Sequence, residues 1–228
     1  MIPYPKIESL LVRDTETYNL IEGQWRLPEF EYLKDNLWGF EEKLHGTNVR
    51  VVFDYVTSPF GLGGIPVPSV EFKGRTDKAQ MPTFLFDKLT ELFPVEKLQE
   101  CFGVQPVTLY GEGFGNRIQS LGSSYIPDGV DFALFDIRIG DWWLKREDVK
   151  AIAKTLGITT TPVVGKGTLE EAIAMAKEGF NSQWGDFRAE GLVVRPAVPL
   201  QMRNGKRIIG KVKYGDFHKE RRNGKTNI

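Results

Sequence analysis

Four runs rich in β-branched and aromatic residues constrain this chain most: TNVRVVFDYV (47–56), DFALFDIRI (131–139), GLVVRP (191–196) and KRIIGKVKYG (206–215). Such runs favour extended backbone, because branched side chains fit a pleated, half-buried surface. Segments of helical period lie between them. MPTFLFDKLTELF stops before Pro94, VEKLQECF restarts after it, and REDVKAIAKTLG ends at Gly157. TLEEAIAMAKEG places Thr168 three residues before Glu171, the spacing of a reciprocal capping box, and closes at Gly179. The strands and helices lack the regular βαβ cadence of a doubly wound fold, so the expectation is an α+β fold with antiparallel or mixed sheets. The Pro- and Gly-rich stretch 57–70 reads as a long loop at a hairpin tip.

With 228 residues, 41% hydrophobic and 26% charged, the chain can bury a substantial core. Thirty basic residues balance thirty acidic ones, so any nucleic-acid partner must be met by a local face and not by net charge. The single cysteine, Cys101, forms no internal disulfide and favours a reducing compartment. The start, MIPYPKIESLLVRD, lacks the basic flank and apolar run of a signal peptide, and no stretch approaches the roughly 18 apolar residues of a membrane span. The expectation is a cytoplasmic protein without membrane association. Bases concentrate near the end: Arg203, Lys206, Arg207, Lys211, Lys213, Lys219, Arg221, Arg222 and Lys225, against Asp216 and Glu220. That segment reads either as a solvated tail or as a phosphate-contacting strand with a nucleic-acid-contacting end.

The chemistry-bearing candidates begin at EEKLHGTNVRV (41–51). If residues 41–45 are extended, Lys43 and His45 share a face, and Gly46 frees the backbone to turn or to let a phosphate approach. A lysine nucleophile must be neutral, which takes desolvation or neighbouring cations; an ordinary surface lysine beside Glu41 and Glu42 is the plainer alternative. Lys211 and Lys213 alternate onto one side of a strand, which suits a polyphosphate or the outward face of an edge strand. In LYGEGFGN (109–116) the three glycines mimic a kinase-type phosphate loop, but no His-Arg-Asp, Asp-Phe-Gly or GxxxxGK[ST] accompanies them. They read better as clearance around Glu112, whose carboxylate can accept hydrogen bonds from ribose hydroxyls, or as a tight turn.

In ALFDIRI (133–139) alternation sets Leu134, Asp136 and Arg138 on one face and Phe135 and Ile137 on the other. Phe135 offers an aromatic face to a purine, or else a core side chain. Glu190 stands where a strand begins, a position suited to a divalent cation carried by a nucleotide. Lys73 and Arg75 flank a glycine and can bind phosphate or simply solvate a loop.

The order of these pieces carries more than any one of them. Lys-x-His-Gly, aromatic-Gly-Glu, Phe-Asp, Glu-Gly-aliphatic-Val and Lys-x-Lys resemble motifs I, III, IIIa, IV and V of the covalent nucleotidyltransferases, the superfamily of DNA ligases, RNA ligases and messenger-RNA capping enzymes. His45 stands where DNA ligases and capping enzymes usually carry Asp, and EKLHGTN resembles the RNA ligases that seal nicks in duplex RNA. The resemblance implies a nucleotidyltransferase (adenylation) domain, ATP-grasp-like, with antiparallel or mixed sheets flanking an ATP cleft. It also implies an ATP-dependent ligase that uses Mg2+ or Mn2+ and joins 5′-phosphate to 3′-hydroxyl ends through a lysyl-AMP intermediate. The implied roles are Lys43 as nucleophile, Glu112 on ribose, Phe135 stacking on adenine, Glu190 near the metal, and Lys211 and Lys213 on the α-phosphate. His45 resembles a residue important after adenylation, Glu42 one that positions adenine through its backbone, and Arg75 one that touches ribose and polynucleotide ends.

The implied partners are ATP and RNA, with duplex, splinted and DNA-containing substrates left open. Only 15 residues follow Lys213. The expectation is therefore one nucleotidyltransferase domain over 1–228, with a basic tail from about 216 and no oligonucleotide-binding or helical C-terminal domain. A GTP-using guanylyltransferase, a DNA ligase of the same superfamily and a non-catalytic nucleotide- or nucleic-acid-binding module remain the alternatives.

Overall fold

The computed structural model describes residues 2–57 and 66–218. In chain order, three short strands, β1 (Glu8–Ser9), β2 (Leu11–Arg13) and β3 (Leu20–Trp25), precede helix α1 (Pro28–Tyr32) and strand β4 (Trp38–Glu42). Strands β5 (Thr47–Thr57) and β6 (Pro66–Lys73), helices α2 (Thr83–Leu92) and α3 (Val95–Phe102), strand β7 (Val107–Gly115) and helix α4 (Gly122–Tyr125) follow. Next come β8 (Val130–Ile139), β9 (Trp142–Trp143), α5 (Arg146–Thr155), β10 (Thr159–Thr160), β11 (Val163–Gly167), α6 (Leu169–Glu178), β12 (Gly191–Pro196) and β13 (Gly210–Lys213). The fold is α+β with mixed sheets, as expected. No helix among the described residues is long and apolar enough to cross a membrane.

The chain divides into two compact units. Leu44–Thr161, with the N-terminal stretch that ends at Pro5, builds a six-stranded sheet in the order β10-β8-β7-β5-β6, with β9 beside β8. All its pairs are antiparallel except β10 with β8. One face buries Val49, Val51, Phe53, Leu109, Phe132 and Leu134 against Leu85, Leu89, Leu98, Val149 and Ala153 of the helices. Each such side chain fully withdrawn from water contributes about 1.5–3 kcal/mol if it is Val, Leu or Phe.

Two local expectations change in this unit. The stretch read as a loop over 57–70 is shorter, because β6 begins at Pro66 and pairs with Thr57. Pro66 and Pro68 are tolerated there because β6 is an edge strand and needs no ladder hydrogen bond on its outer side. The positions 58–65 lie outside the described residues. In β8, Asp136 pairs with Tyr110 while Leu134 pairs with the next residue, Gly111, so Phe135 is the extra residue of a β-bulge. The bulge resets the alternation: Ile137 joins Leu134 in the core, and Asp136 turns away from it.

The second unit holds Lys6–Lys43 and the chain from Pro162 onward. Its five-stranded sheet runs β1-β13-β12-β4-β11, with β1 parallel to β13 and the rest antiparallel. The register stacks Trp38 with Pro196, Phe40 with Val194, and Leu192 with Val212 on one face. That face meets Leu169, Ala172 and Ala176 of α6, together with Leu10 and Phe30. Helix α6 starts as expected, with the Thr168 hydroxyl accepting from the Glu171 backbone and the Glu171 carboxylate accepting from the Thr168 backbone. The run at 206–215 is mostly irregular: only Gly210–Lys213 forms a strand, and Arg207 makes an isolated bridge with Gln201. The basic residues from Lys219 on lie outside the described residues.

Candidate functional site

Strand period dictates what the other face of the five-stranded sheet displays. Since Phe40, Leu192, Val194 and Val212 point into the core, Glu41, Val193, Arg195, Lys211 and Lys213 point the opposite way. Lys43 follows directly on β4, and its backbone N–H donates to the Gly191 carbonyl at 2.9 Å. Glu190 immediately precedes β12, and its carboxylate lies 2.7 Å from the Lys43 Nζ and 2.6 Å from the Lys213 Nζ, through different oxygens. The Glu190 side chain is only 12% exposed. Burial alone would raise its carboxyl, but Lys43 and Lys213 outweigh burial and hold it below the ordinary glutamate value. Close by on the same face, the Arg195 Nε sits 3.1 Å from the buried Glu41 carboxylate.

Three expectations about these residues are revised. The strand stops at Glu42, so Lys43 and His45 are not paired by strand alternation. Lys43, for which neighbouring cations were one expected route to a neutral amine, is contacted directly by a carboxylate. Lys211 and Lys213 do share a face, but β13 lies between β1 and β12 and is not an edge strand. Glu42 belongs to the core side, in register with Leu192, and is 1% exposed. Its carboxylate accepts from the Ser182 hydroxyl at 2.5 Å and the Gln183 N–H at 2.8 Å, while burial raises its carboxyl above the ordinary value. Its own N–H donates to the Pro162 carbonyl. Glu42 therefore anchors the loop at 182–183.

The Leu44–Thr161 unit carries the remaining candidates. His45 donates its backbone N–H to the Tyr125 hydroxyl at 3.1 Å, and its buried Nδ1 has no hydrogen-bond partner among the described residues. Gly46 faces β7 and not open space: a Cβ there would meet the Gly113 carbonyl oxygen at 2.3 Å and the Glu112 Cγ at 2.7 Å. Gly46 lies in a bend between β4 and β5, the turn that the sequence offered as one reading, and it leaves room for the neighbouring strand. The glycines at 111 and 113 lie inside β7, not in a turn, and make room for Phe132 and Leu85 of the core. Glu112 alternates onto the opposite face, in register with Asn48, and is half-buried.

Phe135 is also half-buried. The bulge takes it out of the core and sets its ring 4.9 Å from Tyr4, edge to face. Its carbonyl accepts from Arg146, whose guanidinium also reaches the Thr161 carbonyl and hydroxyl. Tyr4, buried, donates to Asp136 at 2.5 Å and packs on Tyr110 and Trp143. Arg75 is exposed, just past β6.

Glu41–Arg195, Tyr4–Asp136 and Arg50 were not singled out by sequence reasoning. Only Arg50 left a local signal, as a lone cation within the apolar run VRVVF. Among the described residues no group of three or more His, Cys, Asp or Glu side chains could hold a metal ion. Glu190 is a candidate carboxylate placed beside the nucleophile candidate. A single carboxylate suits an ion such as Mg2+, which keeps waters and substrate phosphates as its other ligands.

Comparison with known proteins bears on this arrangement. The RNA ligase family model matches residues 36–213, a stretch that includes parts of both units. Among solved structures, the Naegleria gruberi RNA ligase with PPi is similar, at 21% identity and a TM-score of 0.61, covering 94% of this chain and 62% of that one. A point mutant of that enzyme with ATP and Mn matches at 23% identity and a TM-score of 0.62, covering 96% and 60%. Another mutant, with AMP and Mn, matches at 22% and 0.59, covering 94% and 58%. The likeness at these identities is one of fold, and the chain spans about three fifths of the length of those chains.

Proposed function

Because the chain belongs to the RNA ligase family, we propose that it is an ATP-dependent RNA ligase in which Lys43 carries the adenylyl group. The Lys43 Nζ attacks the α-phosphorus of ATP, forming a P–N bond as the bond to the β-phosphate oxygen breaks and pyrophosphate leaves. AMP then passes from Lys43 to a terminal 5′-phosphate, and a 3′-hydroxyl displaces it to seal the strand. The observation that carries this reading is the cluster of Lys43, Glu190 and Lys213, with Lys211 on the same sheet face. Two cations on that face offset charge on a phosphate undergoing transfer, which is most of what nucleotidyl transfer requires of a protein.

The ion pair with Glu190 defines a resting state. Burial raises the Glu190 carboxyl, but the two lysines hold it below the ordinary range, so Glu190 is a poor base. One Glu190 oxygen contacts Lys43 and the other Lys213, and the remaining lone pairs of that carboxylate are what Glu190 would offer to Mg2+ or Mn2+. A cation held there by Glu190 would supply charge neutralisation for the leaving pyrophosphate.

By their motif positions, Glu112 takes the ribose, Phe135 the adenine, Arg75 the ribose and polynucleotide ends, and His45 acts after adenylation. Lys211 acts with Lys213 on the α-phosphate. The lone thiol of Cys101, half-buried and raised by burial, accords with a cytoplasmic setting. The test is to supply ATP and Mg2+ or Mn2+ with strands bearing 5′-phosphate and 3′-hydroxyl ends, in nicked, splinted and single-stranded form, varying RNA and DNA at each end. Sealing that requires RNA at a reacting end supports the reading; labelling by GTP and not ATP, or nucleotide binding with no sealing of any substrate, contradicts it.

A further inference from the structure

The residue of the Leu44–Thr161 unit least explained by packing is Arg50. It sits in the middle of β5, between the core side chains Val49 and Val51, and points to the opposite face, in register with Lys73 of β6 and Tyr110 of β7. Its side chain is 0% exposed. The Nε donates to the Gly74 carbonyl at 2.8 Å and one Nη donates to the Asp77 carboxylate at 2.7 Å, while the other Nη is buried with no partner among the described residues.

An arginine buried only for stability is a poor choice. An apolar side chain of similar volume avoids the desolvation of a guanidinium, and a donor left without a partner adds to that penalty. Asp77 returns little in compensation, since its own side chain is 63% exposed and screened by water. What the arrangement does secure is geometry. Gly74 and Asp77 bracket Arg75, and both are fixed to one rigid group on a central strand. The segment also folds on itself: the Ala79 N–H donates to the Thr76 carbonyl at 3.1 Å, and a Cβ on Gly74 would lie 2.7 Å from the Ala79 Cβ. The hydrogen bond from Arg50 holds the Asp77 carboxyl below its ordinary value.

We propose that Arg50 is a positioning residue: through Gly74 and Asp77 it fixes the turn that presents Arg75 to the polynucleotide end. This rests on the reading of the chain as an RNA ligase with Arg75 at the strand terminus. Arg50 itself touches no substrate; its effect passes through Arg75.

The test is a double-mutant cycle on the exposed end of the clip, where folding is safest. Asp77→Ala, Arg75→Ala and the double variant are compared with wild type in two assays: lysyl-AMP formation with ATP and Mg2+ or Mn2+, and sealing of a 5′-phosphate RNA strand by pre-adenylylated protein. Asp77→Ala is expected to raise the KM for the RNA on the order of tenfold in the presence of Arg75 and to add nothing once Arg75 is absent, with Asp77→Glu restoring most of the loss. Additive losses in the two variants, or wild-type sealing by Asp77→Ala, overturn the proposal. Absence of lysyl-AMP in the wild-type protein defeats the ligase reading itself, a result distinct from either of these.

Discussion

The two sheets each bury one face and keep the other polar, but they do so with different chemistry. In the unit of Lys6–Lys43 and the chain from Pro162, the polar face is ionic: Glu190 with Lys43 and Lys213, Glu41 with Arg195. In the Leu44–Thr161 unit the Arg50–Asp77 pair shares that face with a cluster of rings: Tyr4 on Phe135, Tyr110 and Trp143, with the Tyr4 hydroxyl on Asp136. Charge acts on a reacting phosphate and belongs to the rate; ring faces and neutral donors recognise a nucleoside and belong to binding. On the proposed function, the first face serves catalysis and the second recognition.

That assignment can be broken by kinetics. Lys213→Ala is expected to lower the single-turnover rate of lysyl-AMP formation by about 10²–10³-fold with little change in the ATP concentration needed, since it removes charge felt most strongly in the transition state. Phe135→Ala is expected to do the reverse, raising the ATP requirement about tenfold, the scale of one lost base–ring stack, and sparing the saturated rate. Rate loss in the second variant and binding loss in the first would dissolve the distinction.

Stability sharpens it further. Gly46→Ala places a methyl against the Gly113 carbonyl and is expected to destabilise the Leu44–Thr161 unit by about 1–3 kcal/mol, read as a lower denaturant midpoint. A smaller effect is expected from pH. Glu190 titrates below the ordinary glutamate value of 4.5, so its ion pairs contribute stability that is present above that pH and lost as pH falls through the depressed value. Glu42 titrates above 4.5, so its contribution has the opposite sign: stability declines as pH rises through that value toward the raised one. Glu190→Gln should flatten the acid-side loss, and Glu42→Gln the decline above it, when denaturant midpoints are followed across that range.

Much of this was legible in the sequence because it is local. The capping box at Thr168 and Glu171 is decided within one turn, and the shared face of Lys211 and Lys213 by strand period alone. What escaped depends on distant partners. The bulge at Phe135 exists only in relation to β7, and no pattern within ALFDIRI shows that a residue is left over. Gly46 makes room for a strand more than sixty residues further on. The pairing of Lys43 with Glu190 spans 147 positions, so the sequence named both residues but not their contact.

The central claim is that Lys43 accepts the adenylyl group. Intact-mass measurement after mixing with ATP and Mg2+ or Mn2+, followed by peptide mapping, tests it directly. The expected result is a gain of one AMP confined to the peptide containing Lys43, reversed by added pyrophosphate and missing in Lys43→Ala. No gain in mass, or a gain that survives Lys43→Ala, would contradict it.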